Sequence, residues 1–223
     1  MGAGKYFAVL LFGIAFGFIE AAIVIYLRAV LNIGGESLFP VPGTLNGRAA
    51  WYLTVESQRE LATLILLICF SLVAARSMIY RLLIFLLAFA VWDLVYYLVL
   101  YLYLGWPQSL LTYDILFLIP TIWIAPVLCP VLVSGGMVLF PSVLMYLARR
   151  RSLSNISVLH WMPLMAGLLL MLYSFMAEAE HYLAGGLPPR FPWWAFALGY
   201  GLSVLSAAHY TYSISRRNRL RYG

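Results

Sequence analysis

Charge is what this sequence has least of. Only 10% of its 223 residues are Asp, Glu, Lys or Arg, against 64% apolar residues and a mean hydropathy of +0.93. A soluble domain carries about 25% charged residues. The deficit, with several apolar runs of about 20 residues or more, excludes that class and leaves an integral membrane protein. Cysteine is scarce as well. Cys69 and Cys129 both lie inside apolar runs, where a thiol behaves as a small hydrophobe, and no CxxC or Cys/His pattern marks a zinc or haem-attachment motif. A Ser/His/Asp triad, a phosphate-binding glycine loop and the HxxxH and HExxH metal motifs are also missing. No internal repeat relates the two halves, and no segment is of low complexity.

What is present is a series of hydrophobic spans. At 223 residues the chain has room for about six of them and little else, so a single domain over 1–223 is expected. Span one covers about Lys5 to Leu31. It is too long for a signal-peptide core and reads as a retained helix. A Gly/Pro-rich loop from Asn32 to about Val55 is long enough to fold over the membrane surface as a lid. Span two runs from about Glu56 to Ala75, and span three from about Ile79 to Leu104. The stretch 108–130 holds Asp114, Pro120, Pro126 and Pro130, and predicts a re-entrant, interfacial or broken segment. Span four then continues to Ala148, with bends expected at Gly135-Gly136 and Pro141. Span five covers about His160 to Tyr182, and span six runs from the Trp193-Trp194 interface anchor to about Ser215. The fold class is therefore an all-α bundle of about six transmembrane helices.

The distribution of charge orients it. The formal charge of +6 would suit nucleic acid, but Lys5, Arg76, Arg81, Arg149 to Arg151, Arg216, Arg217, Arg219 and Arg221 all fall on one side of a six-span chain. None of the eight acidic residues does. By the positive-inside rule that side is the cytoplasm, with both termini inside, and the basic tail is a topology signal and not a nucleic-acid site.

The acidic residues are the candidates for chemistry. A charge at mid-bilayer costs roughly 2.5–3.5 kcal/mol on insertion scales, so it faces a partner or a watery cavity. Asp93 lies near the middle of span three and Glu20 at comparable depth in span one. Glu60 and Glu56 share a face at the start of span two, with Arg59 beside them. Glu178 and His181 are spaced i, i+3 near the end of span five, the spacing of an Glu-x-x-His ligand pair. These side chains fall in the outer half and would converge if the helices form one bundle. Asp93 and Glu60 are then the candidate acid/base groups, and Glu20, Glu178 and His181 the candidate metal ligands, with iron or manganese the metals that suit such a set. Each has a plainer reading. Ser57-x-x-Glu60 fits a helix capping box, Asp93 fits a structural hydrogen bond to a tyrosine or Arg59, and His181 fits headgroup water.

The strings FGFIEAAIVIYLR, ESQRELAT, VWDLVYYLVLYLYLGWP and SLLTYDILFLIPTIWIAPVLCP, within residues 12–134, resemble a family of bacterial multi-span integral membrane proteins. The resemblance implies a bacterial inner-membrane location. It implies no activity or cofactor.

Three functions fit these features. One is a metal-dependent membrane enzyme or redox protein acting on a lipid-like or quinone-like substrate. Another is a non-catalytic subunit or assembly factor, whose aromatic surface packs against membrane lipids, membrane-protein partners or further copies of itself. The third is a proton- or ion-coupled transporter. The acidic surplus in and beyond the membrane favours the first, because buried carboxylates need protons, cations or a metal to offset them.

Overall fold

The computed structural model describes residues 2–30, 48–147, 158–183 and 190–220. It is mostly helical: α1 (Ala3–Val30), α2 (Arg48–Ala74), α3 (Met78–Leu104), α4 (Leu128–Leu147), α5 (Val158–Met176), the short α6 (Ala179–Leu183) and α7 (Trp193–Leu220). Five of these, α1 to α5, are long and apolar enough to cross a membrane. The protein is a multi-pass membrane protein.

α3 is the central helix. α1 lies along it over the whole crossing, and Gly13 and Gly17 make that possible. A Cβ on Gly17 would stand 2.6 Å from the Trp92 carbonyl oxygen, and one on Gly13 would stand 2.8 Å from the Val91 Cβ. The GxxxG spacing thus brings two backbones together where side chains would hold them apart. α4 packs on another side of α3, α5 pairs closely with α7, and α7 joins this pair to α4. α2 is held by α3, by the stack of Phe12 on Phe70 at 3.8 Å, and by polar contacts described below.

α3 stops at Gly105, whose φ of 64° lies in the left-handed region and whose N–H bonds back to the Tyr101 carbonyl. Pro107 prevents resumption. The chain then does something the helical periodicity does not predict. Residues 113–126 form an antiparallel hairpin, β1 (Tyr113–Phe117) and β2 (Trp123–Pro126), with a register irregularity between Ile115 and Phe117. Its tip points back into the bundle. Phe117 stacks on Phe89 at 6.3 Å between centroids, and Phe89 lies 11 residues into α3, about 17 Å along the helix. The expected re-entrant or broken segment is thus a β-hairpin wedged between α3 and α5, where Trp123 stacks on Phe175. Irregular backbone at this depth is stable only when protein or a cavity shelters it.

One further boundary differs from expectation. α2 begins at Arg48 and not near Glu56, because the Gly/Pro-rich stretch ends at Gly47 and the residues after it favour helix; the rest of the expected lid, 32–47, lies outside the described residues. Ser57 is therefore mid-helix, its hydroxyl donating to the Leu53 carbonyl at 2.7 Å, and the capping-box reading of Glu60 fails. α4 is continuous through Gly135, Gly136 and Pro141.

The close approach of α1 to α3 makes a direct prediction. Gly17→Val should lower the thermal midpoint in detergent by an amount equivalent to about 1–3 kcal/mol of overpacking. Gly201→Ala, where an added Cβ meets nothing within 4 Å, should leave it unchanged or raise it slightly. Equal midpoints for the two variants would contradict this packing.

Candidate functional site

A cavity of about 340 Å³ lies where α1, α2, α3, α4, α5 and the hairpin meet. Five carboxylates line it, Glu20, Glu56, Glu60, Asp93 and Asp114, together with two guanidinium groups, Arg28 and Arg59. The carboxylates differ in how they are held.

Arg59 serves two of them. Its Nη1 donates to Glu20 Oε2 and its Nε to Glu56 Oε2 at 2.8 Å, so one cation on α2 ties α1 to its own preceding turn. Thr63, one turn further along α2, donates its hydroxyl to Glu20 Oε1 at 3.0 Å. Glu20 and Glu56 are both buried, which places this ion-pair triad where its geometry matters most.

The other three accept hydrogen bonds from neutral donors. Glu60 Oε2 accepts the Leu118 backbone N–H at 2.8 Å and so closes the hairpin tip onto α2. Asp93 Oδ2 accepts the Ser134 hydroxyl from α4 at 2.7 Å. Asp114 Oδ2 accepts the Tyr97 hydroxyl at 2.9 Å. Tyr97 is four residues beyond Asp93 on α3, about 6 Å along the helix, so the two aspartates approach the cavity from adjacent levels. All three carboxylates are half-buried, whereas Glu20 and Glu56, which also line the cavity, are buried.

The cavity is amphipathic. Its polar groups gather toward the Leu104 end of α3, while Phe85, Leu86, Phe89, Met137 and Leu168 form an apolar floor toward the Met78 end. Leu168 both lines the cavity and is 41% exposed, midway along α5. Among the described residues, the cavity lining thus reaches the apolar perimeter at Leu168.

The residues expected to act together are brought together only in part. Glu20, Glu60 and Asp93 converge on the cavity; Glu178 and His181 do not line it. The expected span His160–Tyr182 is found, but it is interrupted: α5 ends at Met176 and Glu178 lies in the turn before α6, its carbonyl accepting the Tyr182 N–H at 3.0 Å. His181 is exposed. The expected ligand set of Glu20, Glu178 and His181 is thus not assembled, and among the described residues no group of three or more His, Cys, Asp or Glu side chains could hold a metal ion. Asp93 pairs with Ser134, not with a tyrosine or Arg59. Asp114 and Arg28 belong to the cavity although they were not among the expected site residues, and Arg59, expected only as a neighbour of Glu56 and Glu60 or a partner of Asp93, belongs to it too. The signal for Asp114 was available: a carboxylate in an apolar segment broken by prolines needs the same shelter as Asp93.

No family model, curated protein or solved structure matches the chain.

Removing the shared cation tests the triad. Arg59→Gln should destabilise the protein by about 3–5 kcal/mol, because it leaves two buried carboxylates without their counter-charge. Adding Glu20→Gln should recover part of that loss. A double-mutant cycle by thermal unfolding in detergent checks it; strict additivity would show that the two side chains are not coupled.

Proposed function

We propose that the chain is a six-span protein of the bacterial inner membrane with both termini in the cytoplasm, and that its cavity is an acid–base site for a lipid-like substrate entering sideways from the outer leaflet. α7 supplies the sixth span. At 28 residues it is about 42 Å long, more than the roughly 30 Å hydrocarbon core, and it packs along α5 although its serines and His209 make it more polar than α1 to α5. The positive-inside distribution puts the Met78 end of α3 inside and the polar part of the cavity in the outer half.

The observation that carries the reading is that Glu60, Asp93 and Asp114 share one amphipathic cavity, whose lining reaches the apolar perimeter at Leu168, and are held there by neutral donors. Carboxylates so placed are free to hold or release a proton at a bound polar group, whereas Glu20 and Glu56 are committed to Arg59. Asp93 is the principal proton-transfer group, oriented by Ser134. Glu60 holds the hairpin tip and thereby sets the roof over the substrate. The apolar floor takes the chain.

A second reading draws on the hairpin itself. Interrupted backbone beside membrane-depth carboxylates is the setting in which secondary transporters bind coupling ions, so a proton-coupled carrier uses the same residues without converting its cargo.

One experiment separates them. Proteoliposomes containing total bacterial lipid should convert one lipid class, followed by mass spectrometry, and Asp93→Asn should slow that conversion by about 10²–10⁴-fold, the usual contribution of a general acid or base. Proton uptake with no lipid converted would move the function to transport. Equal conversion by wild type and Asp93→Asn would overturn the acid–base role.

A further inference from the structure

β1 and α3 run side by side in opposite directions, and two contacts between them bracket Asp93. Toward the Leu104 end of α3, the Tyr97 hydroxyl donates to Asp114 Oδ2 at 2.9 Å. Toward the Met78 end, Phe117 stacks on Phe89 at 6.3 Å between centroids. Phe89, Asp93 and Tyr97 follow one another at i, i+4 and i+8 and share one face of α3, so Asp93 faces β1 midway between the two contacts. The lengths agree: eight residues of helix rise about 12 Å and three residues of strand about 10 Å. We propose that Asp93 and Asp114 are a catalytic pair, with Asp114 the general base, Asp93 the general acid and Tyr97 the positioning residue of Asp114. This rests on the reading of the cavity as an acid–base site for a lipid-like substrate.

Proximity is the first argument. Both carboxylates line the same cavity, and an ionised Asp93 would repel the charge on Asp114. Two carboxylates in that relation do not both ionise easily, so the pair holds one proton between them. A lone carboxylate takes a proton from a substrate or gives one; a pair that shares a proton does both in one turnover. The proton leaving a substrate hydroxyl or a water passes to Asp114, and Asp93 delivers its own to the oxygen that gains charge. The turnover ends with the proton on Asp114, and its return to Asp93 resets the pair.

Asymmetry is the second argument, and it assigns the roles. Asp114 has two donors, the Tyr97 hydroxyl and the Ile115 backbone N–H, and the Arg28 charge acts on it as well. Asp93 has one donor, the Ser134 hydroxyl. Donors and a cation favour the ionised form, so the negative charge settles on Asp114 and the proton on Asp93. Tyr97 is buried and packs against Tyr96 and Trp106, which fixes where its hydroxyl points. The other ionisable groups about the pair leave this order in place. Tyr96 and Tyr182 are phenols, neutral near pH 7. Glu60 holds the hairpin tip, and Arg59 is engaged by Glu20 and Glu56. The residues of α4 and α5 that line the cavity include none that titrates.

The test is the pH profile of lipid conversion in proteoliposomes of total bacterial lipid, read beside infrared titration of the carboxyl groups of the full chain. Wild type should give a bell, its rising limb reporting ionisation of Asp114 and its falling limb loss of the Asp93 proton. Tyr97→Phe removes a donor from ionised Asp114, so the rising limb should move up by about 0.5–1 pH unit while the falling limb stays. Ser134→Ala should move the falling limb up by a similar amount and leave the rising one. Asp114→Asn should abolish the rising limb and slow conversion by about 10²–10⁴-fold; where it fails to fold, Tyr97→Phe carries the test. The infrared band lost in Asp114→Asn should titrate below the band lost in Asp93→Asn, with no substrate present. A falling limb moved by Tyr97→Phe, or the reverse order of the two bands, would overturn the roles. An Asp114→Asn variant with the wild-type rate and profile, or bands that each ignore neutralisation of the other residue, would overturn the pair and leave Asp93 as the acid–base group. No conversion by wild type at any pH would sink the acid–base reading and the pair with it.

Discussion

A backbone amide that enters a membrane without a helix around it must find an acceptor, and the fold depends on how this is met at Leu118. The hairpin tip brings that N–H to mid-depth, and Glu60 of α2 accepts it. Without an acceptor the exposed amide would cost several kcal/mol in hydrocarbon. The contact therefore does two things: it makes a β-hairpin tolerable inside a helical bundle, and it holds α2 to a bundle that it otherwise touches mainly through α3. The hairpin lines one side of the cavity with Asp114 to Leu118 and Trp123.

The surrounding polar groups follow from that first commitment. Glu60 faces inward, so its neighbours one turn away, Glu56 and Thr63, face inward as well. Arg59 then closes Glu56 and reaches across to Glu20 on α1, which the Gly13 and Gly17 contact has already placed against α3. Asp93 and Asp114 complete the lining from α3 and β1, each with one hydroxyl partner. The packed pair and the cavity-facing three are thus distinguished by structure, not by residue type. The Arg59 triad ties α1 to α2, and the proposed acid–base role falls to the carboxylates held by neutral donors.

Much of the helical framework was legible because apolar runs of membrane length are hard to mistake. Glu20, Glu60 and Asp93 were legible for the converse reason, since charge inside such a run demands an explanation. The remainder depended on geometry that one-dimensional spacing does not carry. Glu178 and His181 match i, i+3 on a continuous helix, but α5 ends two residues before Glu178. Ser57 and Glu60 match a capping box, yet α2 begins nine residues before Ser57. The hairpin reads as a damaged helix because its short strands, YDILF and WIAP, lack the strict apolar–polar alternation that marks a half-exposed strand.

The most direct measurement is a cryo-EM map of the protein in nanodiscs formed from its native membrane, at a resolution that separates side chains from lipid. Elongated density should enter beside Leu168 of α5 and end in a polar head at Asp93, with the hairpin tip resting on Glu60. A hairpin lying flat at the surface, or helices packed together with no space at Asp93, would contradict the cavity and the function built on it.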